Sequence, residues 1–260
     1  MRDVFLSARR ADASSAAADV VIAGFPVDDS VSFRSGAASG PAGIRTFSDS
    51  IESFSPRLGR DLEDLDIVDV GDPSDAEAFV AGAWAEGARP LLVSLGGDHS
   101  ITPPLVASVA RRCPGLSVVG FDAHLDLRAT YPGEHACTFR RITDAGVACS
   151  VVGVRSGSRE EWADARGLLR DHPRSLDVTD PDGPVYVTVD IDVLDPSVAP
   201  GVGNPEPDGP RLGELLDALS TISQVVAFDV VEVAPPLDPS GVTQVSAAVL
   251  VREMILGFGG

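Results

Sequence analysis

The chain has 260 residues, of which 44% are hydrophobic and 23% are charged, and its 39 acidic and 20 basic residues give a net charge of −19. This composition is typical of a globular protein that builds its own core, and it excludes collagen-like and low-complexity classes. The excess of negative charge argues against nucleic acid and anionic membranes as partners and favours a small cationic ligand.

Seven short runs rich in β-branched residues predict strands. Their apolar character is nearly continuous rather than alternating, which is typical of parallel strands covered on both faces. In chain order the predicted strands are Asp19–Phe25, Leu65–Val70, Pro90–Leu95, Leu116–Phe121, Cys149–Val154, Val185–Val189 and Val225–Val230.

Segments of helical character alternate with these strands. The predicted helices are Ser74–Ala88, Pro103–Arg112, Ser158–Arg170, Arg211–Ser223 and Val242–Leu256. This alternation predicts an α/β fold, a three-layer α/β/α arrangement with a mostly parallel central sheet and helices on both faces. We expect a single domain over residues 1–260.

The sequence predicts a cytoplasmic protein. No run approaches the ~20 consecutive apolar residues of a membrane span, and residues 1–19 lack the apolar core of a signal peptide. The cysteines Cys113, Cys137 and Cys149 include no CxxC pair, which disfavours disulfides and a thiolate zinc site. All 20 basic residues are Arg and 28 of the acidic residues are Asp, a composition that resembles proteins from a salt-rich cytoplasm.

Four polar clusters each begin where a predicted strand ends. They are GGDHS (Gly96–Ser100), DAHLD (Asp122–Asp126), DIDVLDP (Asp190–Pro196) and DVVE (Asp229–Glu232). Because ligands of open parallel sheets bind at the carboxyl ends of the strands, we expect these clusters to meet at one edge of the sheet.

Two imidazoles and four carboxylates in the first three clusters form a candidate metal site. They are His99, Asp122, His124, Asp126, Asp190 and Asp192. So many ionisable groups at one edge cannot all stay charged and dry without a cation, so the pattern predicts one or two divalent metals. The carboxylate-rich, thiolate-free set favours Mn²⁺ or Mg²⁺ over Zn²⁺, and four carboxylates suit a bridged pair. Any one of these residues could instead cap a helix or form a turn, so the prediction depends on the joint pattern.

The motifs GGDHS, DAHLD and DIDVLDP resemble the metal motifs of the ureohydrolase family, which includes arginase and agmatinase. The segments Gly24–Arg45 and Asp229–Thr243 resemble the family's first strand–loop–helix unit and its last signature. The resemblance covers nearly the whole chain. It implies an arginase-like fold, two Mn²⁺ ions per subunit, hydrolysis of a small cationic guanidino substrate, and a homo-oligomer, either trimer or hexamer.

The resemblance also implies a role for each candidate residue. One ion would be held by His99, Asp122, Asp126 and Asp190. The other would be held by Asp122, His124, Asp190 and Asp192, with Asp122 and Asp190 bridging. Asp126 would also orient the attacking hydroxide, and Glu232 would pair with the guanidinium group. His135 would transfer a proton to the departing amine.

The reaction that this resemblance favours is hydrolysis of agmatine to putrescine and urea. A segment like the one with which arginases hold the α-amino acid end does not follow DAHLD, which counts against arginase. Hydrolysis of guanidinobutyrate, arginine or formiminoglutamate is the alternative within the family. A non-catalytic, metal-stabilised binding protein is the alternative from another class.

The residues around the substrate tail depart from the family pattern. Residues 127–134 form a shorter loop before His135 than family agmatinases usually have, and Val202 and Asn204 replace the more usual threonines. An ammonium tail would suit an acidic pocket mouth, for which Glu134 and Glu206 are the candidates.

A carboxylate tail would need a basic partner instead. Arg128 and Arg140 flank the same region of the sequence, and either could pair with a carboxylate.

Overall fold

The computed structural model describes residues 3–12, 18–30, 33–129, 135–165, 167–169 and 175–259. Within these ranges, eight strands form a central sheet and two more form a short antiparallel pair. The strands are β1 Arg9–Arg10, β2 Val20–Phe25, β3 Phe54–Ser55, β4 Arg60–Asp61, β5 Ile67–Asp69, β6 Leu91–Gly96, β7 Ser117–Phe121, β8 Ala148–Val152, β9 Val185–Asp190 and β10 Val225–Val231.

The order of strands in the central sheet is β1-β5-β2-β6-β10-β9-β7-β8, and every neighbouring pair is parallel. Strands β6, β10, β9 and β7 are therefore adjacent. These are the strands that the four polar clusters follow, so their carboxyl ends bring distant parts of the sequence to one edge.

Helices cover both faces of the sheet, as the sequence predicts. In the described part of the chain the α-helices are α1 Gly40–Ser48, α2 Ala76–Ala83, α3 Thr102–Ala110, α4 Thr138–Asp144, α5 Arg159–Asp164, α6 Leu212–Leu219 and α7 Val242–Phe258. Helices α1, α6 and α7 pack on one face and α2, α3 and α4 on the other.

Alternate residues of each strand supply the two cores. In β2, Val20 and Ile22 belong to the core beneath α7, whereas Val21 and Ala23 belong to the core beneath α2 and α3. This burial on both faces explains why the strands are apolar throughout. The predicted three-layer α/β/α fold with its mostly parallel sheet is confirmed.

The seven predicted strands are present with shifts of a few residues at their ends. Helix α5 ends at Asp164, earlier than the predicted Arg170, which lies outside the described residues. Strands β1, β3 and β4 were not predicted, since two-residue strands are too short to carry a pattern. In the part of the chain that is described, no helix is both long enough and apolar enough to span a membrane.

Candidate metal and catalytic site

The first group of predicted ligands gathers around one imidazole. His99 Nδ1 lies 3.2 Å from Asp122 Oδ2, 3.5 Å from Asp126 Oδ2 and 3.5 Å from Asp190 Oδ2. All four side chains are at most 10% exposed. These are the residues that the family resemblance assigns to one ion, and the fold brings them together from the ends of β6, β7 and β9.

A second group forms around the other imidazole. His124 Nδ1 lies 3.0 Å from Asp192 Oδ2 and 3.7 Å from Asp122 Oδ1. Asp122 therefore presents one oxygen to each imidazole, as expected of a bridging ligand. Asp190 Oδ1 accepts a hydrogen bond of 2.9 Å from the backbone N–H of Asp192, which links the two groups.

The buried polar atoms of this site fit a bound cation. His99 Nδ1 and Asp122 Oδ2 are buried without a hydrogen-bond partner among the described residues. Burial, reinforced by the Asp122 carboxylate, raises the pKa of Asp126 to about 6. Burial and neighbouring carboxylates also raise the pKa of Asp190 well above its usual range. A divalent cation would satisfy these atoms and favour the ionised carboxylates, so the donor set suits a pair of hard metal ions.

A hydroxyl and a buried carboxylate orient the His99 ring through its Nε2 atom. Its Nε2 lies 3.0 Å from Thr188 Oγ1, and the Thr188 hydroxyl donates to Asp229 Oδ1 at 2.5 Å. Because the one hydroxyl proton goes to Asp229, the Thr188 oxygen acts as an acceptor toward His99. This arrangement holds one ring proton on Nε2, so a ring that gives up its second proton has its Nδ1 lone pair available for a metal ion.

The backbone that follows β6, β7 and β10 is tightly constrained. A side chain at Gly97 would come within 1.9 Å of the Val27 carbonyl oxygen, so only glycine allows the chain to pass there. Glu232 has a φ of 64° and Asp126 a φ of 47°, in the left-handed region that costs non-glycine residues about 1–3 kcal/mol. Strain of this kind is concentrated at functional sites.

Glu232 and His135 lie in the same cavity as the candidate metal ligands. Glu232 Oε1 accepts a 2.8 Å hydrogen bond from the backbone N–H of His99, and burial, together with the Asp98 carboxylate, raises the pKa of Glu232 to about 8. His135 is 8% exposed, and burial lowers its pKa. The cavity has a volume of about 380 Å³.

The rest of the cavity wall carries more acidic than basic groups. Glu206 Oε1 lies 3.5 Å from His124 Nε2, and the buried Glu161 accepts a 3.1 Å hydrogen bond from the backbone N–H of Leu127. Arg128 also lines the cavity, and its Nε lies 3.6 Å from Glu161 Oε2. The guanidinium of Arg128 is therefore partly neutralised.

Arg140 and Glu134 were the other residues predicted to contact the tail of the substrate. Arg140 pairs with Asp144 and Asp164 and does not line the cavity. Glu134 lies outside the described residues.

Several residues of the site were missed by the sequence analysis. Asp98 and Asp229 stand inside the motifs GGDHS and DVVE, so their position at strand ends was a usable signal. Ser30, Thr188 and Glu161 carried no such signal, because a lone hydroxyl or a Glu in the first turn of a helix is ordinary.

A parallel α/β sheet that gathers paired carboxylate–imidazole groups at one edge defines a candidate metallohydrolase. The chain matches the model of the Arginase family over residues 18–257, and it belongs to that family. It is 40% identical over 271 aligned residues to an agmatinase of Bacillus anthracis, with 92% of each chain covered. The predicted family membership is confirmed.

Two solved structures show the same architecture. The agmatine ureohydrolase of Thermoplasma volcanium has a TM-score of 0.85 at 29% identity, covering 99% of this chain and 94% of that one. The proclavaminate amidino hydrolase of Streptomyces clavuligerus has a TM-score of 0.85 at 30% identity, covering 99% and 97%. Both likenesses extend over nearly the entire chain.

Proposed function

We propose that this chain is a dinuclear-manganese ureohydrolase that cleaves agmatine to putrescine and urea, within one domain over residues 1–260. The observation that carries the proposal is a single cavity lined by members of both groups of candidate ligands, together with His135, Glu232 and the acidic residues Glu161 and Glu206. The many relatives named agmatinase at 35–40% identity support the same reaction.

We assign the metal ligands as the family resemblance implies. One Mn²⁺ would be held by His99, Asp122, Asp126 and Asp190. The other would be held by Asp122, His124, Asp190 and Asp192. Carboxylate oxygens with two imidazoles and no thiolate favour Mn²⁺ over Zn²⁺. When bound, such ions supply Lewis-acid activation of water near neutral pH.

The remaining catalytic work falls to three side chains of this chain. Glu232 keeps its Oε1 on the His99 backbone, so its Oε2 is the oxygen that we assign to a guanidinium N–H of the substrate. Asp126, at the edge of the first group, orients the attacking water. His135 carries the proton that the departing amine needs, because an amine anion is a poor leaving group.

Preference for agmatine is supported by the charges that surround the tail. Agmatine ends in an ammonium group, whereas guanidinobutyrate, arginine and formiminoglutamate carry a carboxylate. The cavity wall offers Glu206 and Glu161, and Arg128, the one arginine among the described residues of that wall, lies against Glu161. A wall with this balance attracts a cationic tail and repels an anionic one.

We further propose a homo-oligomer, trimer or hexamer, acting in the cytoplasm of a salt-adapted cell. The strongly acidic, lysine-free composition supports the salt-adapted host.

The test is a substrate panel on the manganese-loaded protein in molar KCl. We expect kcat/KM for agmatine to exceed the values for guanidinobutyrate, L-arginine and formiminoglutamate. The Glu206→Gln variant should narrow the preference for agmatine over guanidinobutyrate, since it removes one negative charge from the tail region. Asp122→Asn is the inactive control, because it alters one of the two ligands shared by both ions.

A clear preference for guanidinobutyrate would contradict the assignment and point to Arg128 as the carboxylate partner. The protein with two ions bound could also fail to release urea from every guanidino compound and glutamate from formiminoglutamate. That result would favour the non-catalytic binding protein.

A further inference from the structure

Asp98 is a buried carboxylate that lies between two serines. Its Oδ2 accepts hydrogen bonds from Ser30 N at 3.2 Å and from Ser30 Oγ at 2.7 Å. Its Oδ1 accepts from Ser100 N at 3.1 Å and from the Ser100 hydroxyl. With four donors on two oxygens and an exposed fraction of 2%, Asp98 is fully satisfied and acts only as an acceptor.

Ser30 connects this carboxylate to His135. The Ser30 hydroxyl oxygen lies 3.1 Å from His135 Nδ1 and 3.3 Å from the His135 backbone N–H. A serine hydroxyl has one proton, and here that proton is committed to Asp98. Toward His135 the oxygen is therefore an acceptor, and the ring must present a proton on Nδ1.

We propose that Ser30 and Asp98 are positioning residues that hold His135 in the tautomer with the proton on Nδ1 and the lone pair on Nε2. This inference rests on the proposed function, since it assigns which atom of His135 carries the transferred proton. Ser30 and Asp98 do not touch the reacting atoms; they act through His135.

The proton balance of the reaction explains why this tautomer matters. As water adds to the guanidinium carbon and the C–O bond forms, a proton is released, and the Nε2 lone pair accepts it. When the C–N bond to the amine breaks, the nitrogen keeps the electron pair and takes that proton from Nε2. The C=O bond of urea forms in the same step, and the hydroxyl proton released from this oxygen passes to the amine, which leaves as an ammonium ion. Throughout both steps Nδ1–H donates its hydrogen bond to Ser30 Oγ. The negative charge of Asp98 stabilises the transient imidazolium.

The chain offers a matched pair of variants. Ser30→Ala and Ser100→Ala each remove one hydroxyl from Asp98, but only Ser30 contacts His135. Ser30→Thr keeps the hydroxyl and serves as the rescue. Asp98 itself is unsuitable, because its carboxylate also caps the short helix His99–Ile101, which carries a candidate ligand.

The first readout is the tautomer of His135, measured by ¹⁵N NMR on full-length protein loaded with diamagnetic Zn²⁺. The chain contains only 4 histidines, and a His135→Gln variant assigns the signal. We expect a protonated Nδ1 and an unprotonated Nε2 in the parent, in Ser100→Ala and in Ser30→Thr. In Ser30→Ala we expect a mixture of the two tautomers.

The second readout is steady-state kinetics of the manganese enzyme with agmatine. Ser30→Ala should lower kcat about 10- to 100-fold with little change in KM or metal content, the range typical of a partner that orients a functional histidine. Ser30→Thr should restore most of kcat, and Ser100→Ala should stay near the parent.

Two results would overturn the inference. One is a parent His135 with the proton on Nε2. The other is an equal loss of kcat in Ser30→Ala and Ser100→Ala, which would show a structural effect through Asp98. If no substrate is hydrolysed, the proposed function fails, whereas the NMR result still decides the tautomer.

Discussion

The Nδ1 atoms of His99 and His124 each face two or more carboxylates of the candidate ligands. This contact determines how metal binding at the site depends on pH. Burial lowers the pKa of each imidazole, but the facing carboxylates outweigh it, so both pKa values lie above the usual 6.5. In the metal-free protein both rings therefore bind their second proton more tightly than a free imidazole does. A metal ion needs the Nδ1 lone pair and must displace that proton.

We predict that Mn²⁺ binding releases protons and that the apparent affinity rises with pH. The sign follows from the raised pKa values: lowering the pH stabilises the protonated rings, which compete with the ion. Calorimetry at pH 7 in two buffers of different ionisation enthalpy measures the number of protons released. His124→Gln should release about one proton fewer, since glutamine does not titrate in this range. A binding enthalpy that is independent of the buffer would contradict this prediction.

At the scale of single residues, the sequence predicts the six candidate ligands because each stands at or just after a strand end, and their role as ligands stays a prediction. The sequence alone did not predict the hydroxyl groups that orient the histidines of the site. Thr188 lies inside β9, where threonine is an ordinary strand former, and Ser30 lies in a loop 68 residues from its partner Asp98. Hydroxyls that act through such long-range contacts leave no local pattern.

Among the structural elements, the loops at the cavity mouth depend on one half-buried arginine. The guanidinium of Arg155 donates hydrogen bonds of 2.8–3.1 Å to the carbonyls of Gly153, Asp192, Val193, Glu206 and Pro207. It therefore ties the loop after β8 to the turn that carries Asp192 and to the segment that carries Glu206. A planar group with five donors can span three segments in this way, whereas lysine cannot.

We predict that Arg155→Met lowers the free energy of unfolding by at least about 2 kcal/mol, because several carbonyls lose a charged donor. It should also weaken the ion held by His124 and Asp192 more than the ion held by His99 and Asp126. Urea unfolding and manganese titration measure the two effects. Arg57→Met is the matched control: its partner Asp217 is exposed, so we expect a change within about 0.5 kcal/mol. Equal losses in both variants would contradict the assigned role.

The sequence predicted the elements of the sheet better than their connections. Continuous apolar runs and the helical period are local signals that can be read directly, and all seven predicted strands are present. The order β6-β10-β9-β7 at the centre of the sheet is a matter of topology and has no local signal, although the right-handed crossover rule limits the choices. The hydrogen bonds of Arg155 go to backbone carbonyls. Because these groups are the same for every residue type, the sequence gives no signal for these contacts.

At the scale of the whole molecule, the charge of −19 must be tolerated by the folded state. Surface arginines already pair with acids, as Arg9 does with Asp66 and Arg111 with Glu77. With 39 acidic residues against 20 arginines, the negative charges exceed the positive charges by 19. Their mutual repulsion opposes the compact state at low salt.

We predict that the melting temperature rises as KCl increases from 0.1 M to molar concentrations. The Debye length shrinks from ~10 Å to about 3 Å over that range, so repulsion between neighbouring carboxylates fades while buried contacts persist. Differential scanning calorimetry on the metal-free protein measures the effect without coupling it to metal binding.

The control is a variant that neutralises three exposed acids (Asp12→Asn, Asp177→Asn, Asp182→Asn). It separates the screening of carboxylate repulsion from a general effect of salt on hydrophobic burial. It should melt higher than the parent at 0.1 M and gain less from added salt. A parent melting temperature that stays flat, or an equal gain in both proteins, would contradict a stability limited by surface charge and leave the enzymatic proposal untouched.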